Sequence, residues 1–188
     1  VGSGGAYTVN VTTSDLIADN SVAVSVASSD AAGNTVTSTG SASISVDTTA
    51  DAGTVTVNTI AGDDVINASE SGAATIAVSG TATGGDISVG DTVTVSVNGT
   101  DYTTTVGTGG AYTVNVTTSD LIADNSVAVS VASSDAAGNT VTSTGSASIS
   151  VDTTADAGTV TVSTIAGDDI INATESGAAT IAVSGTAS

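Results

Sequence analysis

The chain repeats itself at the length of a whole domain. GGAYTVNVTTSDLIADNSVAVSV opens at Gly4 and again at Gly109, a period of 105 residues, and residues 1–83 align with 106–188 without a gap. Only Ser3/Thr108, Asn58/Ser163, Val65/Ile170, Ser69/Thr174 and Thr83/Ser188 differ, all small or conservative exchanges that leave every carboxylate in place. Solenoid repeats have about 20–50 residues, so a period this long means that each copy folds around a core of its own. One unit plus 83 residues reads as a segment of a longer array, with incomplete copies flanking a complete one.

Within the unit, short runs of alternating Val/Ile and Thr/Ser are broken every 8–12 residues or so by Gly, Asn and Asp, the pattern of half-buried strands. The spacing predicts strands at 54–58, 74–82, 92–98, 102–106, 111–116, 126–132 and 140–151, with helix-forming segments essentially missing. Asn98-Gly99 lies between two alternating runs and predicts a tight hairpin, because both residues tolerate positive φ. Seven strands in about 100 residues predict an all-β fold, a tandem immunoglobulin-like antiparallel sandwich with Greek-key connections. DTTADAG recurs after the last strand of each copy and reads as the linker. The parse is 1–46 as the end of one repeat, 47–53 as linker, 54–151 as a complete repeat, 152–158 as linker and 159–188 as the start of the next.

Charge is the next constraint. The chain has 19 Asp and Glu, no Lys or Arg and no His, so no side-chain salt bridge can form. Each carboxylate must be solvated, bonded to N–H groups or neutralised by a cation from solution. Nucleic acid and anionic membrane are bound through Lys and Arg and are excluded as partners. The core is built from Val, Ile and Ala with three tyrosines as its only aromatics, and there is no cysteine to staple it. A small core without disulfides leaves metal as the remaining brace. No apolar run approaches a membrane span and no secretion signal is visible, as expected of an internal segment.

Strands that run end to end place alternate loops at opposite ends, which predicts two acidic poles. One gathers Asp63, Asp64, Asn67 and Glu70 after the first strand, Asp120 and Asp124 after the fifth, and the linker residue Asp152. The other gathers Asp86 and Asp91, Asp135 and Asn139, and the incoming linker residues Asp47 and Asp51. The poles meet at each junction between copies. Calcium suits them because it takes 6–8 oxygen ligands in flexible geometry, whereas zinc and copper lack His and Cys here. Neither an EF-hand loop nor a glycine-rich nonapeptide is present, and Asp, Asn and Gly also populate ordinary β-turns, the simpler account of Asp101. A salt-rich habitat explains the sign of the charge but not its gathering at junctions. The Asn-x-Ser/Thr triplets at Asn10, Asn67, Asn98, Asn115 and Asn172 are what chance gives in so Thr-rich a chain.

The strings DAAGN, VDTTA and AGDDVIN carry a resemblance, and the stretch from 28 to 106, and with it the whole chain, resembles the bacterial immunoglobulin-like extender repeats of RTX adhesins, a group that includes biofilm-associated proteins and giant ice-binding adhesins. The resemblance implies a non-enzymatic spacer, exported by type I secretion, anchored at the outer membrane at the cell surface, with adjacent repeats of the same chain as partners. It also implies calcium at the junctions, with Asp47, Asp51, Asp152 and Asp156 as the first-choice ligands. Many relatives carry proline after VDTTA. Here Ala50 is followed by Asp51, so a floppier linker is expected. The alternative is a repeated glycan- or ice-binding module acting by avidity, for which Thr-rich runs such as 8–12 speak. An enzyme is disfavoured, since only carboxylates and hydroxyls are at hand for chemistry.

Overall fold

The computed structural model describes residues 1–188, and all of the buried hydrophobic core lies between Val55 and Ile149. The first copy supplies α1 (Thr13–Ala18), β1 (Ser21–Ser29) and β2 (Thr35–Ser43). The central stretch follows with β3 (Thr54–Val57), β4 (Val65–Ile66), β5 (Thr75–Thr83), β6 (Thr92–Val97), β7 (Thr100–Thr105), β8 (Ala111–Thr117), α2 (Thr118–Ala123), β9 (Ser126–Ser134), β10 (Thr140–Ser148) and β11 (Ser150–Val151). Of the strands, β12 (Val160–Val162) and β13 (Gly185–Ala187) come after it, with one 3-10 turn at Glu175–Gly177 between them.

Two antiparallel sheets face each other, β3-β5-β8 and β10-β9-β6-β7. The chain crosses between them from β5 to β6, from β7 to β8 and again from β8 to β9, an all-β sandwich with Greek-key crossovers. Alternation decides which side chains meet in the middle. In β6 it is Val93, Val95 and Val97, in β9 Val127, Val129 and Val131, and in β5 Val78 and Ala82. Ten of the sixteen core residues are valines and Tyr112 is the one aromatic, so the layer between the sheets is thin. The hairpin between β6 and β7 turns on Asn98 (φ 51°) and Gly99 (φ 74°), both left-handed, as its sequence predicts.

Three features depart from the expected strands. The connection after β8 contains the helix α2, whose Leu121 is fully buried. A two-residue strand, β4, appears where a loop was expected. The last strand does not run unbroken from 140 to 151: β10 stays on β9, the chain turns at the buried Ile149, and β11 pairs in parallel with β4. Ser150 N–H donates to Asp64 O at 2.9 Å and Asp152 N–H to Ile66 O at 3.0 Å, so the end of the sandwich is tied back to its beginning.

The repeated sequence separates local from long-range causes. The hairpin β1–β2 and the helix α1 form in the first copy in the same register as β9–β10 and α2 in the next. AYTVNVT is assigned as strand β8 at Ala111–Thr117, where β5 pairs with it, and not at 6–12. Val116 is fully buried while its equivalent Val11 is 49% exposed.

Tyr112 and Gly80 form the tightest joint in the core. The Tyr112 hydroxyl donates to Thr56 O at 2.8 Å, crossing over β5 at Gly80. A Cβ at residue 80 would fall inside contact distance of both the Thr56 carbonyl oxygen and the Tyr112 hydroxyl. Gly80→Ala is therefore expected to cost about 3 kcal/mol or more in denaturant unfolding. Tyr112→Phe, which only orphans the carbonyl, should cost about 1–1.5 kcal/mol. Burial also pushes the Tyr112 phenol up to about 12 from 10.0. The folded state favours the neutral phenol, so this contribution is complete below pH 10 and is lost as pH rises toward 12. Absorbance titration should show a phenol ionising near 12 that disappears in Tyr112→Phe.

Candidate functional site

The first linker lies down on the pole of the sandwich that follows it. Asp51 N–H donates to Asp86 Oδ2 at 2.6 Å and Asp86 N–H returns a bond to Asp51 O at 3.0 Å. Gly53 N–H reaches the hydroxyl of the buried Ser143 at 2.9 Å. Gly85 makes this approach possible, because a Cβ there would strike the backbone of residues 51–53. A proline-free linker was expected to be floppy. In the structure it is held at several points by backbone bonds, and a Pro at residue 51 would remove the N–H that Asp86 accepts.

Beside it, DAAGN folds into a clip. Asp135 Oδ1 accepts from Asn139 N–H at 2.8 Å, and Asn139 Nδ2 lies 2.6 Å from Asp135 Oδ2. The same clip forms at Asp30 and Asn34, so it is intrinsic to the motif. What the second copy adds is the linker: Asn139 Nδ2 also lies 3.3 Å from Asp47 O and 3.3 Å from Thr49 O. Two amide hydrogens thus face three oxygens, a cradle with more acceptors than protons. The Asn139 side chain, then backbone N–H groups, hold the Asp135 carboxyl below the usual carboxylate range, and Asn34 does the same for Asp30. Asp91, on the same pole, closes its own turn by accepting from Ser88 N–H at 2.8 Å.

At the opposite pole most of the acidic loop is engaged locally. Asp64 (φ 62°) accepts from Ile60 N–H, Asp63 from Val65 N–H, Asn67 Oδ1 from the N–H groups of Ser69 and Glu70, and Glu70 from Asn67 N–H. These bonds recur at Asp169, Asp168, Asn172 and Glu175 in the third copy, so the loop shapes itself. Asp152 Oδ1 accepts from Thr154 N–H, and its own N–H bonds Ile66 O, which sets the outgoing linker beside this loop. Asp124 caps Ser126 N–H. Asp156 has no hydrogen-bond partner in the chain.

Asp120 has a different environment. Its Oδ2 accepts from the Tyr102 hydroxyl and lies 2.9 Å from the Thr117 hydroxyl, while Oδ1 accepts from Asn98 Nδ2 at 3.1 Å. Tyr102 first, then Asn98 and Thr117, hold the carboxyl below its usual range. In the first copy Thr12 caps α1 by accepting from Asp15 N–H, whereas Thr117 turns its hydroxyl into this network instead. Both oxygens of Asp120 are occupied, which leaves it a brace between the β6–β7 hairpin and α2.

The donors at both poles are oxygen only: carboxylates, an Asn side chain and backbone carbonyls, the set a hard cation such as calcium takes. Nowhere do three Asp or Glu side chains converge as a ready metal cage. The oxygens come together instead as Asp51 with Asp86, and as the Asp135 carboxylate with the carbonyls of Asp47 and Thr49 around the Asn139 amide nitrogen. Those carbonyls and Ser143 carry no sequence signal of their own, since every residue has a carbonyl and serines are everywhere in this chain.

No protein-family model and no curated protein matches the chain. Solved structures do. A structure described as a Ca2+-stabilised adhesin that helps an Antarctic bacterium reach out and bind ice is 61% identical, over 95% of this chain and 42% of that one, with a TM-score of 0.70. A second, from a 1.5-MDa bacterial ice-binding adhesin, is 57% identical over 79% of this chain and 47% of that one, with a TM-score of 0.74. A bacterial immunoglobulin-like domain from the M. primoryensis ice-binding adhesin is 63% identical, over 54% of this chain and 98% of that one, with a TM-score of 0.52. The chain spans less than half the length of the first two.

The clip has a pH signature. A carboxyl held low in the folded state adds stability above its unfolded value of 3.8 and loses it as pH falls through the folded value. Asn139→Ala should let the Asp135 carboxyl, followed by NMR, titrate closer to 3.8 and should start acid unfolding at a higher pH than in the parent.

Proposed function

The chain belongs to the bacterial immunoglobulin-like extender repeats of RTX adhesins, and on that footing we propose that it is a length of stalk, stiffened by calcium at the junctions between repeats, that holds a distal ligand-binding region away from the cell. The docked first linker carries this reading. Linker and sandwich are joined through backbone bonds at Asp51, Asp86 and Gly53, and an over-provided oxygen cradle lies on the seam. In this reading the working unit runs from 54 to 151, residues 47–53 and 152–158 are its connectors, and 1–46 and 159–188 belong to the flanking repeats. The protein works outside the bacterium, exported by type I secretion and anchored at the outer membrane, and its direct partners are neighbouring repeats. It performs no catalysis.

At the incoming junction Asp47, Asp51, Asp86, Asp135 and Asn139 would hold the cation, with Asp91 nearby. At the outgoing one the candidates are Asp63, Asp64, Asn67, Glu70, Asp124, Asp152 and Asp156, with Asp120 reserved for the hairpin brace. Bound calcium supplies positive charge between carboxylates that have no cationic side chain to face. The residues do the rest. The clip fixes Asp135 and Asn139 before the linker arrives, and the linker brings Asp47 and Asp51 to them. Strands of nine residues give each unit a length of about 30 Å, so reach grows by that amount per copy.

Calcium binding to the folded state alone should raise stability by about 2.7 kcal/mol at a hundredfold excess over Kd. Chelation is expected to lower the melting temperature and to broaden the distance distribution in small-angle scattering. Asp47→Asn combined with Asp135→Asn should blunt both responses. A melting curve indifferent to chelator would rule out the calcium role.

A further inference from the structure

Asn98-Gly99 does more than turn a hairpin. Of the ten asparagines in the chain, Asn98 alone precedes a glycine. Both residues are exposed, and space around the Gly99 Cα is open. The Gly99 N–H donates to nothing in the protein. At Asn20 and Asn125 the following N–H is engaged: Ser21 N–H donates to Asp19 and Ser126 N–H to Asp124. The Asn98 side chain, through Nδ2, is one of the three protein groups that bond the Asp120 carboxylate.

We propose that Asn98 is a self-modification site, converted by deamidation to aspartate or isoaspartate, and that the conversion cuts the brace between the β6–β7 hairpin and α2. The chemistry needs only water. The Gly99 nitrogen attacks Asn98 Cγ, a C–N bond closes a five-membered succinimide, and the side-chain nitrogen leaves as ammonia, the Gly99 N–H proton having been released. Water then opens the ring at either carbonyl, giving aspartate or, with the main chain rerouted through the side chain, isoaspartate. The product has lost the amide donor and faces Asp120 with a second negative charge. No cationic side chain exists to offset it. Isoaspartate also lengthens the turn by one backbone atom, against a two-residue connection that fits only its own register.

The test ages the whole chain, with calcium present, at neutral to mildly alkaline pH. Electron-based fragmentation mass spectrometry locates each conversion and separates aspartate from isoaspartate. Conversion should map to Asn98 at least about tenfold faster than to Asn20 or Asn125. Equal rates at the three positions would overturn the site. The consequence is read separately on two variants. Asn98→Gly keeps the positive φ and brings no charge, and Asn98→Asp adds the charge. Asn98→Asp should melt about 5 °C below the parent, with Asn98→Gly between them. If Asn98→Asp melts no lower than Asn98→Gly, the charge at this position does not open the brace and that half of the proposal is wrong.

Discussion

A chain with nineteen carboxylates and no cationic side chain has to settle each negative charge against a backbone N–H, a neutral side chain or the solution. The loops are built on that constraint. Asp63, Asp64, Asp91 and Asp124 each accept from an N–H a few residues away, and Asn67 with Glu70 cap one another. These bonds are short-range, and those of Asp63, Asp64, Asn67 and Glu70 form again in the third copy. The charge left over lies at the poles of the sandwich, and at the one that receives the first linker three oxygens face the two amide hydrogens of Asn139.

The thin valine core places a second demand on the fold. With so little apolar volume between the sheets, close approach has to replace bulk. Gly80 and Gly145 let strands pass against the backbone carbonyls of Thr56 and Val55, and Tyr112 fills the space over the first of them while satisfying that carbonyl. The polar brace of Tyr102, Thr117, Asn98 and Asp120 holds the hairpin to α2 at the other end. The sandwich is thus fastened at specific joints, and substitutions there should matter more than their modest size suggests.

What could be read from sequence alone follows the same divide between local and distant causes. Strand positions, the Asn98-Gly99 turn and the two acidic poles follow from alternation and loop order, both of which are written along the chain. The helix α2 was missed because TSDLIA is too short to show a helical period, and Leu121 only becomes core once the sheets face each other. The break at Ile149 was missed because alternation continues through it, while the switch of partner from β9 to β4 depends on a strand more than eighty residues earlier. The strand AYTVNVT at Ala111–Thr117 is held by pairing with β5, some thirty residues earlier. At the site, sequence could nominate carboxylates but not the carbonyls of Asp47 and Thr49 that share the Asn139 amide.

The short parallel pair of β4 and β11 gives the sandwich a mechanical character. The chain enters through the linker docked at one pole and leaves just after Val151 at the other, so tension along a stalk would draw β4 back toward the entrance and β11 toward the exit. The two strands point the same way and slide along their common axis. The bonds from Ser150 to Asp64 and from Asp152 to Ile66 are then loaded side-on and together, not peeled one after another. Two residues of strand, negligible as a share of the fold, thus fasten the end of the sandwich to its first loop against a pull along its length.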